Sequence, residues 1–582
     1  MSLRDRIGFE ALMARLGVRS RRLFVLTRHF FDRLFQNEII PFEDQMKEKL
    51  ITVLAMLAAV GWVLTNTLFS QYMFIEDLGQ SWMEKFAFLS IFMIILAFAV
   101  LLEWDVLFPD AKDHQNLRPL PVGSNTLFAA KFLSFLLFVG LFSAAANALS
   151  VFGVAFFMPR WTGNSLPALF RYMGAHILSV TAALLFIFLL FLFLEAVLLA
   201  LLGGRAYRAV ALALRLGLAV LCVAVILVAL VDPVTLKKGL DFLEARRAAR
   251  PTSLLLFPPM WFASLYEILI GRPEPLYAAG AWIGLGSILI LGAADFLAMA
   301  FGFRKHIRRS LEVRKPRRRL AGVRAGLGRV FDRTILRRPV ERAVFHFTVK
   351  TLRASSAHKV RLAGYLAVAL GVLLLSVGLR KVEVLEPAAS GLDLLSAPLV
   401  VGLIFLLGLR SGMNVPFAPE ANWIFRLTES RDRNPYLVAV RKTVVILGIL
   451  PLSVLIWPAY AWFWGAGPAT VHAVYVAVWL LLVCQAVFWR FSRIPYACLV
   501  VPGKAKLQAR WLPYLLGFVM AVSSIATLER SLFRHPGRFP IFFLFALAAL
   551  VVLEIVRRRF IDSKLDLVFV EEPEPVMITL GG

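Results

Sequence analysis

The sequence predicts an all-α, polytopic membrane protein with about 12 transmembrane helices in two six-helix halves. Three observations carry that prediction. Of the 582 residues, 59% are hydrophobic and only 17% are charged, whereas about a quarter are charged in an average soluble protein. Apolar runs of about 18 residues or more, long enough to cross a bilayer core as helix, recur along the chain. The order of runs and polar loops in residues 1–303 is also repeated, weakly, in residues 362–556. Phe31-Asp32-Arg33, ahead of the first half's spans, likewise returns as Phe331-Asp332-Arg333 ahead of the second half's.

The apolar runs place spans near residues 50–69, 86–102, 132–157, 173–202, 209–231, 276–303, 362–379, 398–409, 443–464, 472–488, 511–528 and 539–556. With the N-terminus inside, 49 of the 64 Lys and Arg residues fall on the inner side and 14 on the outer side. That is the positive-inside pattern. It puts both termini in the cytoplasm and the chain in the plasma (inner) membrane. The formal charge of +27 is therefore read as basic loops facing anionic lipid, not as a nucleic-acid surface. Cys222, Cys484 and Cys498 are too far apart for a metal motif and read as small buried side chains. Residues 1–24 lack the compact apolar core of a signal peptide.

Before the first span, Phe30, Phe31, Leu34 and Phe35 recur at helical spacing among Arg28, Asp32 and Arg33. That pattern suits an amphipathic helix on the inner membrane surface. A short acidic loop over 75–85 precedes the second span. The loop at 103–131 contains Pro109, Pro119 and Pro121, which forbid one continuous helix. Gly203-Gly204-Arg205 forms a tight turn. The outer connection at 232–275 combines a charged helix with an apolar segment around Pro258-Pro259, read as dipping back into the outer leaflet. Residues 304–361 form a basic cytoplasmic linker. The half at 362–556 follows, with 420–442 as the counterpart of 103–131. Residues 557–582 form a cytoplasmic tail that ends in an acidic stretch.

Asp105, Asp110, Asp113 and His114 would suit a hard-metal or phosphotransfer site, or a solvated loop that contacts a partner. Pro109 interrupts the helix that would align them. Val501-Pro502-Gly503-Lys504 is not a phosphate loop, because Cys498 and Ala505 replace the required Gly and Ser or Thr. The ionisable residues inside spans are Glu195, Arg215, Asp295 and Glu554. Glu554 reads as interfacial. Glu195 and Arg215 flank the turn at 203–205 at similar distance. Both are placed about 15 Å above the inner surface at a helical rise of about 1.5 Å per residue, and they are expected to pair across the hairpin.

The run Leu120-Pro121-Val122-Gly123-Ser124 followed by Ala130-Lys131, together with Phe257-Pro258-Pro259-Met260-Trp261-Phe262, resembles the permease subunits of type-2 ATP-binding-cassette exporters. Such permeases have six spans and open on an amphipathic helix. A loop after the second span couples to the ATPase, and helical segments lie outside between the fifth and sixth spans. The first half carries the resemblance. The second lacks the Leu-Pro-Val run and has a short outer link at 529–538. The resemblance implies two fused halves exporting an unknown, lipid-like or amphiphilic substrate with a separate ATPase subunit, in two copies, that holds the ATP. It implies no catalytic, cofactor or metal site in this chain. In 103–131, Phe108 and Leu117 would be the buried anchors, Asp110, Asp113 and Arg118 the orienting charges, and Pro121 part of the Leu-Pro-Val run; 424–436 would meet the second ATPase copy. A membrane-embedded transferase acting on lipid-linked substrates and a proton-coupled carrier remain the alternatives.

Overall fold

The computed structural model describes residues 21–35, 46–73, 81–102, 104, 124–157, 165–202, 204–231, 233–311, 332–378, 387–388, 390–415, 417, 422–427, 434–489, 491–497 and 511–562. Among the described residues every regular element is helical. Ten stretches are long and apolar enough to cross a membrane, so the chain is an all-helical, multi-pass membrane protein. They are Ile51–Phe69, Trp82–Leu101, Ala129–Phe157, Leu166–Leu201, Ala209–Leu227, Pro275–Ala298, Leu394–Met413, Pro435–Trp464, Ala466–Val487 and Pro536–Phe560. The two other expected spans fall on helices of 23 and 24 residues, Ser356–Gly378 and Trp511–Arg534, that are not among these ten. The chain divides into two compact units, Met1–Leu218 with Val228–Arg314, and Ala219–Leu227 with Lys315–Gly582.

The first unit begins with α1 (Arg21–Phe35), whose buried Leu26 and Phe30 pack on Ala130 of α4 (Ser124–Phe157). Lys131 is itself buried, its ammonium 5.6 Å from the Phe30 ring and 5.8 Å from Phe135. The amphipathic pattern at 28–35 thus produces a helix laid across the start of a span. α2 (Met46–Phe69) packs on α4, α4 on α5 (Leu166–Leu201), and α5 on α3 (Trp82–Leu102). α6 (Gly204–Val231) comes next. α7 (Pro233–Ala249) is the charged helix predicted in the long connection, with Lys238, Asp241 and Phe242 exposed.

Pro258 and Pro259 do not break a helix; they start one. They occupy the first turn of α8 (Pro258–Ile270), where proline forfeits no intrahelical bond. The helix ends at Gly271, whose φ of +101° is left-handed, the usual glycine stop. The Arg171 Nε donates to the Leu269 carbonyl at 2.7 Å, adding a cation at the C-terminal end. α8 packs against α3, α5 and α9 (Pro275–Leu311), and Met260, Phe262, Ala263 and Tyr266 are buried. Its approach to α9 is close because Gly280 and Gly284 form a small-residue stripe. A methyl carbon at Gly280 would lie 2.3 Å from the Ser264 hydroxyl, and one at Gly284 3.1 Å from Trp261 Cβ. Gly280→Leu is therefore expected to destabilise the purified protein by about 1–3 kcal/mol or more through overpacking. Gly286→Leu, which meets nothing within 4 Å, is the control in the same thermal-unfolding measurement; equal shifts would contradict the close-packing account.

In the second unit α10 (Pro339–Ala354) is amphipathic, burying Glu341, Val344, Phe345, Thr348 and Thr351. It packs on α14 (Asn434–Val444), where Lys442 donates to Glu341 at 2.6 Å and to the Ile335 carbonyl at 2.8 Å. α11 (Ser356–Gly378) packs along α12 (Leu392–Met413), which also meets α16 (Ala466–Val487) and α17 (Trp511–Arg534). Between α12 and α14 lies the short α13 (Asn422–Leu427). α14 continues through a π-turn at Val445–Ile449 into α15 (Leu450–Trp464). Pro451 has no N–H, so the carbonyl four residues earlier loses its donor, and a local change of winding accommodates that loss. α18 (Phe539–Val556) closes the unit beside α16.

Candidate functional site

The concentration of buried polar groups in the first unit surrounds α8. Lys85, near the start of α3, donates to Glu267 of α8, and both side chains are fully buried. The Lys85 ammonium also donates to Ser81 Oγ at 3.0 Å and lies 4.9 Å from the Tyr266 ring centre. The second Glu267 oxygen faces Arg272 at 3.7 Å. Beside them Tyr72 donates to Glu84 at 2.5 Å. His176 of α5 bonds Ser150 Oγ at 2.9 Å and packs edge-on to Tyr266 at 5.9 Å. α8 is thus anchored to α3 by a charge pair and to α5 by ring packing. A buried pair is worth keeping only when each partner is satisfied, and losing either one strands the other.

A second cluster lies at the opposite ends of the same helices. Glu195 of α5 accepts from Tyr207 of α6 at 3.0 Å, and the Arg215 guanidinium lies 5.3 Å from the Trp104 ring. Trp104, Glu195 and Arg215 are all buried. From His176 to Glu195 the α5 helix advances nineteen residues, which is about 28 Å. The two polar clusters are therefore separated by about the thickness of a hydrocarbon core. The residues predicted to pair, Glu195 and Arg215, share this cluster with Tyr207 and Trp104.

The second unit carries its own buried pair. His472 Nδ1 and Glu529 Oε1 are 2.6 Å apart, joining α16 to α17, with both side chains fully buried. Tyr460 and Trp464 of α15 pack on the imidazole with ring centres 4.3 and 5.3 Å away. Each unit thus has a histidine near the start of the helix that carries the fourth expected span of its half. Each also has a glutamate in or beside the connection between the fifth and sixth expected spans. At the other end Glu554 meets Arg558 at 2.7 Å, Gln485 at 3.2 Å and Arg441 at 3.3 Å. It is therefore a hub that joins α14, α16 and the end of α18.

Phe108, Asp110, Asp113, Leu117, Arg118 and Pro121 lie outside the described residues, as do Asp105 and His114. Their counterpart is described in part. α13 exposes Trp423 (63%), Ile424 (45%) and Leu427 (77%), while Phe425 and Tyr436 turn into the core, Phe425 edge-on to Phe347 at 5.3 Å. Among the described residues no three His, Cys, Asp or Glu side chains gather as a metal site. Lys85, Glu267, His176, His472 and Glu529 escaped the sequence reading. A histidine inside an apolar run was the available signal for His176 and His472. Lys85 and Glu267 stand 182 positions apart, and nothing local links them. Compared with known proteins, the chain matches no family model, no curated protein and no solved structure.

Proposed function

We propose that the chain is the membrane-spanning permease of an ATP-driven exporter, with 12 spans in two fused halves, both termini in the cytoplasm of a plasma (inner) membrane, and a separate ATPase subunit in two copies. The observation that carries this reading is α13. In a polar connection between two spans, three large apolar side chains of one short helix face outward. Such a patch suits a partner protein, in which a few buried anchors supply most of the binding. Two further features agree with the resemblance to type-2 exporter permeases. α1 lies on the start of α4, and α8 is a helical insertion between the helices of the fifth and sixth expected spans. The substrate class is an amphiphile or lipid. In membranes that contain the ATPase, Trp423→Asp with Leu427→Asp, and separately Phe108→Asp with Leu117→Asp, should leave the chain inserted. Both pairs should abolish ATPase co-purification and substrate-stimulated hydrolysis. Unchanged association in both would remove the reading.

A second reading, a proton-coupled carrier, is favoured by the buried ionisable groups in both units: Lys85–Glu267 and Asp295 in one, His472–Glu529 in the other. Substrate movement in proteoliposomes driven by a pH gradient without ATP would select it. The transferase alternative depends on 105–114 and draws no support from the described residues.

A further inference from the structure

Asp295 belongs to neither polar cluster nor ion pair. It lies on α9 within the stretch Pro275–Ala298, fully buried, and among the described residues neither carboxylate oxygen has a hydrogen-bond partner. α9 meets α5 where Gly292 faces Leu189, one turn before Asp295. Asp295 lies three residues before the end of that stretch, and the first basic residue on α9, Arg304, comes nine positions later, about 13 Å along the helix. The charged or titratable groups on the helices packed against α9 are engaged elsewhere. Glu267 and Tyr266 of α8 face Lys85. On α5, Arg171 bonds the Leu269 carbonyl, His176 bonds Ser150, and Glu195 accepts from Tyr207. Tyr172 lies four residues from His176, at the far end of α5 from Glu195. Lys131 of α4 lies against the Phe30 and Phe135 rings.

A bare carboxylate is not tolerated in a low-dielectric interior; it must take up a positive charge. Ionisable side chains at membrane depth commonly mark ion pathways. We propose that Asp295 binds a small monovalent cation, a proton or a sodium ion, whose arrival and departure neutralise and expose its charge during the working cycle of the first unit. A proton adds to one carboxylate oxygen to give the neutral acid; a sodium ion is held by both oxygens. The inference does not rest on the exporter reading, since a cation site of this kind would serve either an ATP-driven or an ion-driven chain.

The test uses the full chain in lipid nanodiscs with no ATPase present, so its outcome is independent of the coupling experiments. The probe is dicyclohexylcarbodiimide, which attacks protonated carboxyls from the lipid phase, with adducts mapped by mass spectrometry. Modification of Asp295 is expected, together with its loss in Asp295→Asn and its retention in Asp295→Glu. If labelling falls as the pH is raised from about 6 to about 9 and ignores sodium, the ion is a proton. If sodium suppresses labelling at constant pH, the ion is sodium. Labelling that is absent from Asp295, or the same at every pH and sodium concentration, would overturn the proposal. Infrared difference spectra between the two pH values provide the second readout: a protonated-carboxyl band that persists unchanged in Asp295→Asn also overturns it.

Discussion

Lys85→Met is expected to destabilise the protein by about 3–5 kcal/mol, the usual result of removing one partner from a buried ion pair. Methionine keeps most of the lysine volume, so the loss comes from charge rather than from a cavity. Glu267, fully buried, would keep only Arg272, at 3.7 Å, as a counter-charge among the described residues. The double variant Lys85→Met with Glu267→Met should recover most of the loss, because replacing both partners by apolar groups is often neutral or stabilising. Thermal or denaturant unfolding in detergent, read by tryptophan fluorescence, measures the cycle. A double variant that loses the sum of the two single losses would show that the residues do not act as a pair. Because this pair ties α8 to α3, Lys85→Met should also expose Gly271 and Arg272 to protease before the rest of the unit opens.

His472→Leu is expected to cost about 3 kcal/mol or more, since it leaves the buried Glu529 carboxylate without the partner now 2.6 Å away. Glu529→Gln should cost only about 1 kcal/mol, the size of an ordinary hydrogen-bond exchange, because an amide still bonds the imidazole. That asymmetry identifies the loss as an unpaired charge. If the two variants lose the same stability, the contact is ordinary packing of His472 against Tyr460 and Trp464, and the charge is irrelevant. Near-ultraviolet circular dichroism during melting would follow the same aromatic cluster.

What the sequence alone determined is the class of molecule and the position of its long helices. Hydropathy is a local quantity: a run such as 86–102 must leave water for the membrane interior, whether lipid or protein surrounds it, and its backbone must be helical there. Amphipathic spacing at 28–35 is equally local, and it located α1 before any contact was known. The charged helix α7 and the apolar segment before Gly271 were legible for the same reason. Whether Pro258-Pro259 breaks or begins a helix was not, because a proline pair permits both and the packing of α8 among α3, α5 and α9 chose the second.

Tertiary structure alone decided which polar residues meet. Lys85 reads as the end of a loop and Glu267 falls in the apolar segment after Pro258-Pro259; only the docking of α8 on α3 makes them one buried pair. The expected Glu195–Arg215 hairpin contact had a local basis in the turn at 203–205. The structure adds Tyr207 from within that hairpin and Trp104 from outside it. His472 and Glu529 stand 57 positions apart on α16 and α17, and the glycine stripe at Gly280 and Gly284 has meaning only once Ser264 and Trp261 lie against it. Pairing across helices depends on rotation and depth. Those are set by side-chain packing over the whole unit, and no short window of sequence contains them.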